Sequence, residues 1–361
     1  MTADHSQPGS VLKLASGAAH FRLGQIYWRQ GKLADATAQL CLAAAVEPNS
    51  SKIHFALGKL FHEQRRYEDA IAAYRRALEI APTLSMAYQQ LGLILQFVGK
   101  TDEALAMWRQ WLAVEPDHPV PRHMVAAATG RTRLSRAADD YIRALFDEFA
   151  DSFDEQLKLL GYRAPDLIAE AVAQGLGPPA GQLEVLDAGC GTGLCGPLLR
   201  PYAQRLTGVD LSAGMLDQAR ERGDYDLLVR AELTGFIKRS VETFDLITSA
   251  DTFVYFGDLK PVFKASAAAL HPGGLFVFTL ESMDDENARS GFALQVHGRY
   301  CHKEKYVRSC LRAAGFRISS VSRELERTEM GNPVIGLVVV ALKSGRLAVA
   351  GSSCTTRARA S

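Results

Sequence analysis

The residues best suited to chemistry lie in one stretch, Asp187-Ala188-Gly189-Cys190-Gly191-Thr192-Gly193. The run LEVLDA ahead of it reads as a β-strand, so the glycines fall on a strand-to-helix turn. Without side chains there, the backbone can approach a bound molecule closely. Asp210 stands twenty-one residues beyond Gly189 and closes the next apolar run, RLTGVD. A carboxylate at the end of a strand can accept hydrogen bonds from both hydroxyls of a ribose. The third run, DLLVRAE, ends at Ala231 and Glu232, and the fourth leads into Ser249, Ala250 and Asp251. Ligands of open α/β sheets bind at the carboxyl ends of the strands. Asp187, Gly189, Gly191, Gly193, Asp210, Leu211, Ala231, Glu232 and Ala250 are therefore the candidate cofactor contacts, and Asp251 is a candidate near the reacting atoms.

A dinucleotide-binding turn would need glycine at 194, where this chain has leucine and places its glycine one residue early. That argues against a nicotinamide oxidoreductase. A second group, His297, Arg299, Tyr300 and His302, precedes a helical stretch, where substrate loops commonly sit. Tyr300 and His302 are candidates for a base or for positioning an acceptor. The two histidines are five apart in a loop rather than four apart on a helix face, and no third ligand group accompanies them, so no metal is expected.

The elements that must hold these residues follow from the pattern. Residues 135–174 read as helix, broken near Gly161-Tyr162. β-runs then alternate with helical stretches through GLFVFTL (274–280), which implies a parallel sheet. The last two runs, FRISSVSREL (316–325) and VIGLVVVAL (334–342), are separated only by a Met-Gly-Asn-Pro turn, so they read as an antiparallel hairpin at the sheet's end.

The first third is organised differently, by a period of 34 residues. Leu23-Gly24, Leu57-Gly58 and Leu91-Gly92 are so spaced, as are Ala36, Ala70 and Ala104, and Pro48, Pro82 and Pro116. This is the tetratricopeptide (TPR) spacing. Glycine lets the first helix of each repeat approach the second, alanine sits at their crossing, and Leu40, Tyr74 or Trp108 fills space between neighbouring repeats. Three repeats are expected over 17–118, with a capping helix within 119–130. Resemblance to the TPR family places Phe21, Gln25, Trp28, Phe55, Lys59, His62, Gln89, Leu93 and Phe97 on a concave face. That face implies a protein or peptide partner.

The later segment, 140–343, resembles the class I S-adenosylmethionine (SAM) dependent methyltransferases through its Asp187–Gly193 motif. The resemblance implies that the first glycine lies beneath the methionine chain of SAM, that Asp187 helps place its amino group, and that Asp210 takes the ribose. The stretches LFDEFADSFDEQLKLLGYRAP (145–165), DLLVRAEL, SADTFVYFGDL and HGRYCHKEKYV resemble bacterial TPR-containing methyltransferases of predicted function. In such enzymes the first of these stretches folds over the cofactor, so Phe149, Phe153 and Tyr162 are expected as lid or pocket residues; aromatic walls suit a sulfonium. Nucleic-acid amine methyltransferases carry Pro-Pro after the acid of the fourth strand. Here the sequence is Asp251-Thr-Phe-Val-Tyr255, so nucleic acid is not expected as the acceptor.

The bulk composition agrees. The 361 residues suggest two domains or more. With 41 Lys and Arg against 40 Asp and Glu, there is no global attraction to a phosphate backbone or acidic membrane. No apolar run spans a bilayer, no secretory leader is expected at the start, and six scattered cysteines read as reduced thiols, which points to the cytoplasm. Residues 1–16 and 344–361 are expected to be disordered. The expected architecture is an α-solenoid of TPR repeats (17–130) followed by a Rossmann-like, mostly parallel α/β sheet with a terminal antiparallel hairpin (131–343). The expected function is methyl transfer from SAM to an unidentified acceptor, with the repeats recruiting a partner. The alternative is a TPR interaction scaffold whose second domain binds SAM without catalysis.

Overall fold

The computed structural model describes residues 9–130, 134–284, 290–329 and 331–344. The chain forms two compact units, Met1–Arg133 with Leu294–Arg299, and Leu134–Ala293 with Tyr300–Ser361. Among the described residues no helix is long and apolar enough to cross a membrane. Of the tail expected at 344–361, residues 345–361 lie outside the described residues.

The first unit consists of α1 (Gly9–Arg29), α2 (Leu33–Val46), α3 (Ser51–Glu63), α4 (Tyr67–Ile80), α5 (Ser85–Phe97), α6 (Thr101–Val114) and α7 (Pro119–Thr129). The first helix begins at Gly9, inside the segment expected to be a disordered tail. No proline follows Pro8 there, and VLKLASGAA is built of residues a helix tolerates. The repeats pair as α1–α2, α3–α4 and α5–α6. Ala36, Ala70 and Ala104 are buried at the crossings. A Cβ added to Gly24 would run into Leu40, one on Gly58 into the Tyr74 ring, and one on Gly92 into the Trp108 indole. The large residue of each second helix thus lies on the glycine of its own repeat. The turn position at 31, 65 and 99 is left-handed in all three repeats, with φ of 72°, 60° and 77°. Glycine fills it twice, and Arg65 bears the strain of the middle one. Pro119 opens α7 and left-handed Gly130 closes it. Of the proposed concave face, Gln89 and Phe21 are buried in the packing, while Gln25, Trp28, Phe55, His62, Leu93 and Phe97 are half-buried and Lys59 is exposed.

The second unit opens with α8 (Asp139–Phe149), α9 (Phe153–Leu159) and α10 (Ala164–Leu176). It continues through β1 (Leu183–Ala188), α11 (Gly196–Leu199), β2 (Ala203–Asp210), α12 (Ala213–Arg222), β3 (Leu227–Arg230), α13 (Leu233–Arg239), β4 (Phe244–Ser249) and α14 (Lys260–Ala269). Then come β5 (Leu270–Glu281), β6 (Phe292–Leu294), β7 (Tyr300–His302), α15 (Glu304–Ala313), β8 (Phe316–Glu329) and β9 (Asn332–Lys343). Seven strands form one sheet in the order β3-β2-β1-β4-β5-β9-β8. The first five are mutually parallel, and β9 runs antiparallel to both β5 and β8. The terminal hairpin is as expected, with its second strand on the inside.

Alternation along the central strands puts their neighbours on opposite faces. Val185, Leu246 and Leu275 join α10 in one core, and Leu186, Ile247 and Phe276 join Phe253, Phe263 and Phe278 in the other. Strand order reverses between β1 and β4, and it is at the carboxyl ends of strands beside such a switch point, here β1, β2 and β4, that open α/β sheets bind ligands. The short β6–β7 pair is a second sheet, in a stretch read from sequence as loop.

Candidate functional site

Asp187 is the next-to-last residue of β1 and is buried. One carboxylate oxygen accepts a hydrogen bond from the Tyr225 hydroxyl at 2.7 Å. The other, Oδ1, is buried and has no hydrogen-bond partner among the described residues. The nearby Thr248 hydroxyl is directed instead to the Leu186 carbonyl, at 3.4 Å. Burial pushes the carboxyl up to about 6, with help from the Asp210 charge and against the Tyr225 bond and the weaker pull of the nearby Thr248 hydroxyl. A buried acceptor short of a full hydrogen bond costs free energy, so this oxygen keeps capacity for a further donor.

Gly189, Gly191 and Gly193 all have positive φ, at 77°, 52° and 87°. At Gly189 a Cβ would also strike the Thr252 side chain, so glycine is required twice over. The turn is tied to the second strand. The amides of Gly189 and Cys190 donate to the Val209 carbonyl, and the Gly191 amide donates to Asp210 Oδ2 at 3.0 Å. Asp210 Oδ1 accepts from the Ser212 amide at 2.9 Å. Burial raises the Asp210 carboxyl and these amides oppose the rise. The Leu211 amide adds to the Gly191 and Ser212 donors, and the carboxylate keeps acceptor capacity beyond them. Leu211 gives its carbonyl to Arg230. Ala231 is half-buried at the end of the third strand, with its amide on the Asp210 carbonyl. Glu232, expected at a ligand's edge, is the N-cap of α13, accepting from the Thr234 and Gly235 amides at 2.9 and 2.6 Å.

The stretch 145–165 is anchored to this turn by two aspartates that the sequence reading did not single out. Asp147 on α8 accepts from the Ser212 hydroxyl at 2.5 Å and from the Gly214 amide at 3.3 Å. Asp154 on α9 accepts from the Thr192 hydroxyl at 2.6 Å and pairs with Arg222, which also donates to the Thr192 carbonyl at 2.7 Å. The only sequence signal was two acids seven residues apart, two turns along one helical face. Phe149 and Phe153 are half-buried, the latter edge-on to Phe146. Tyr162 sits where two sets of groups meet. Burial raises its hydroxyl well above the ordinary value, and the Asp251 carboxylate adds to the rise against the charge of Arg327.

Asp251 follows β4 with φ of 49°, uncommon for a residue with a side chain. Its amide and its Oδ1 both meet the Thr279 hydroxyl, at 2.9 and 3.0 Å, and its Oδ2 accepts from Arg327 at 2.7 Å. Half-buried Ala250 precedes it. Arg327 is buried on β8 and also pairs with Glu281 and with Glu329. Burial would lower that guanidinium; its carboxylate neighbours reverse the shift and hold it charged.

Tyr300 and His302 are placed elsewhere. The Tyr300 hydroxyl donates to the Leu134 carbonyl at 3.0 Å, and burial pushes it up to about 12. His302 is wholly buried beside Phe292 and Tyr306; burial lowers it to about 4, against the backbone of Phe256 and Gly257, so the ring is neutral. Both lie on β7 and pack inward, whereas His297 and Arg299 belong to the segment that groups with the repeat unit. The structure does not bring these four together with the glycine turn.

Comparison with known proteins matches this architecture. A family model described as a methyltransferase domain fits residues 186–278, and tetratricopeptide-repeat models fit 10–52, 22–85 and 73–106. Human methyltransferase-like protein 27 is 41% identical over 102 residues, covering 27% of this chain and 41% of that protein. The malonyl-[acyl-carrier protein] O-methyltransferase of Salmonella typhimurium is 30% identical over 138 residues, covering 38% and 52%. The chain thus spans about half, or less, of the length of these relatives. A solved S-adenosylmethionine dependent methyltransferase from Mesorhizobium loti is similar at 26% identity and a TM-score of 0.39, over 49% of this chain and 99% of that one. The methyltransferase-domain match thus falls within the sheet unit, and the tetratricopeptide-repeat matches fall within the helical unit.

Proposed function

We propose that the second unit binds SAM at the β1–β2 crevice and transfers its methyl group to an acceptor, and that the repeats recruit a protein or peptide. The observation that carries the reading is the unpartnered Asp187 Oδ1, buried at the mouth of a turn of three positive-φ glycines. An amino group donating to that oxygen would satisfy it. Gly189 leaves open backbone for the methionine chain, and Asp210 keeps acceptor capacity for the ribose hydroxyls. Ala231 and the backbone of Glu232 would border the adenine. Tyr162 and the anchored α8–α9 segment would cover the ligand. The bound sulfonium supplies an already activated methyl, so the protein's share of the chemistry is alignment and exclusion of water.

Calorimetric titration with SAM and with S-adenosylhomocysteine tests the reading. Saturable one-to-one binding is expected. Asp210→Ala should weaken it by about a hundredfold, given two hydrogen bonds to a charged acceptor at ~1.5 kcal/mol each. Binding of neither ligand by the wild-type chain, or equal affinity in the variant, would overturn the assignment.

A further inference from the structure

Four carboxyl groups converge on one guanidinium at the carboxyl ends of β4 and β5. Arg327 donates to Asp251 and Glu329 at 2.7 Å each and pairs with Glu281, while Glu326 Oε2 lies 3.6 Å from it. Three carboxylates already occupy the fork of Arg327, so it has no face left to clamp an acidic substrate. Glu326 is the exceptional member. Its side chain is 0% exposed, and neither of its oxygens has a hydrogen-bond partner among the described residues. Its carboxyl is directed at that of Asp251, and burial together with the Asp251 charge favours its neutral form. Two carboxylates cannot hydrogen-bond each other, but an acid can donate to a carboxylate. A protonated Glu326 therefore satisfies itself and fixes Asp251 from behind. Asp251 keeps its side chain 15% exposed, beside the Tyr162 hydroxyl.

We propose that the methyl acceptor is an amine, held by Asp251, with Glu326 as the residue that positions that carboxylate. The inference rests on the methyl-transfer reading above and names its substrate class. In the transfer, the lone pair of a neutral amine forms the N–C bond as the C–S bond breaks. The bonding pair goes to sulfur, which becomes a neutral thioether, and the positive charge arrives on nitrogen. Fixed negative charge where positive charge develops favours that transition state. A carboxylate or phosphate acceptor would meet like charge, and an alcohol would end neutral and gain nothing from the wall.

The test uses the full chain, SAM carrying a tritiated methyl group, and whole-cell extract as the source of acceptors. The expected label survives hot acid hydrolysis and is retained on a cation exchanger as an N-methyl amine. Label released as volatile methanol by mild base, or recovered as an ether or thioether, overturns the amine class while leaving methyl transfer intact. No transfer from a chain that binds SAM overturns both. Asp251→Asn should lower turnover about a hundredfold with SAM affinity kept within threefold. Glu326→Gln, which can still donate to Asp251, should retain most turnover, and Glu326→Met should not. Equal turnover in the Gln and Met variants would remove the positioning role.

Discussion

Replacing Asp154 by alanine removes the carboxylate that anchors α9 to the glycine turn. Two interactions are lost. The hydrogen bond from the Thr192 hydroxyl, at 2.6 Å and on a buried residue, is to a charged acceptor and contributes about 1.5 kcal/mol. The pair with Arg222 has side chains 29% and 31% exposed. Solvent screens it, so it adds about 0.5 kcal/mol. The docked state of α9 thus loses about 2 kcal/mol, an upper bound of roughly thirtyfold on cofactor affinity at 1.4 kcal/mol per tenfold. The loss should appear as faster release, because a covering element acts on dissociation more than on encounter. Stopped-flow displacement of bound S-adenosylhomocysteine measures this directly. Asp151, exposed on the same segment, is the control, and its alanine variant should release ligand at the wild-type rate. Equal rates for the two variants would refute the anchoring argument. Slower release from the Asp154 variant would show that docked α9 hinders binding.

Two further perturbations test other parts of the fold. The buried Asp187 carboxyl, raised from 3.8 to about 6, takes up its proton more readily folded than unfolded. Its contribution to stability is therefore fullest below about pH 4 and declines as pH rises towards 6, by about 3 kcal/mol at 1.36 per unit. Asp187→Asn should make the domain more stable than wild type at pH 7.5, with the gap closing towards pH 4, and should weaken SAM binding; urea unfolding at the two pH values checks it, and identical midpoints at pH 7.5 would contradict it. In the repeats, Gly92→Ala would push a methyl into the Trp108 indole, which is wholly buried and packed at a tilt against Trp111, itself stacked on Tyr88. Overpacking of this kind costs about 2 kcal/mol, and an unchanged unfolding midpoint for residues 1–130 within the full chain would show that the repeat relaxes around it.

The parts of this fold that could be read in the sequence are those governed by near neighbours. A glycine 16 residues ahead of Leu40, Tyr74 or Trp108 announces a close helix pair, because the period repeats the same local event three times. The β1 turn was legible because strand, glycines and following helix are contiguous. For Glu232 the sequence shows a carboxylate at a strand end and not that the next two amides take its oxygens. Tyr300 and His302 looked like exposed loop residues, but β7 pairs with β6 and turns both inward. Arg327 had no local signal at all. Its place beside Asp251 depends on a β-bulge between Leu325 and Arg327 and on β9 lying between β5 and β8. The charge of this wall is set by residues 251, 281, 326, 327 and 329, which only the finished sheet brings together.

That sheet order also sets a timetable for synthesis. The repeat helices contact neighbours close in sequence, so each pair can form soon after it leaves the ribosome. The sheet is different, because β9, the last of its seven strands in chain order, fills the slot between β5 and β8. Until residues 332–343 emerge, β5 has an unpaired edge of apolar residues, Leu275 through Leu280, and β8 has no partner. Such edges recruit other strands. A chain truncated between the end of β5 and Asn332 would thus carry complete repeats and an adhesive, incomplete sheet. Addition of β9 is the step that closes this edge.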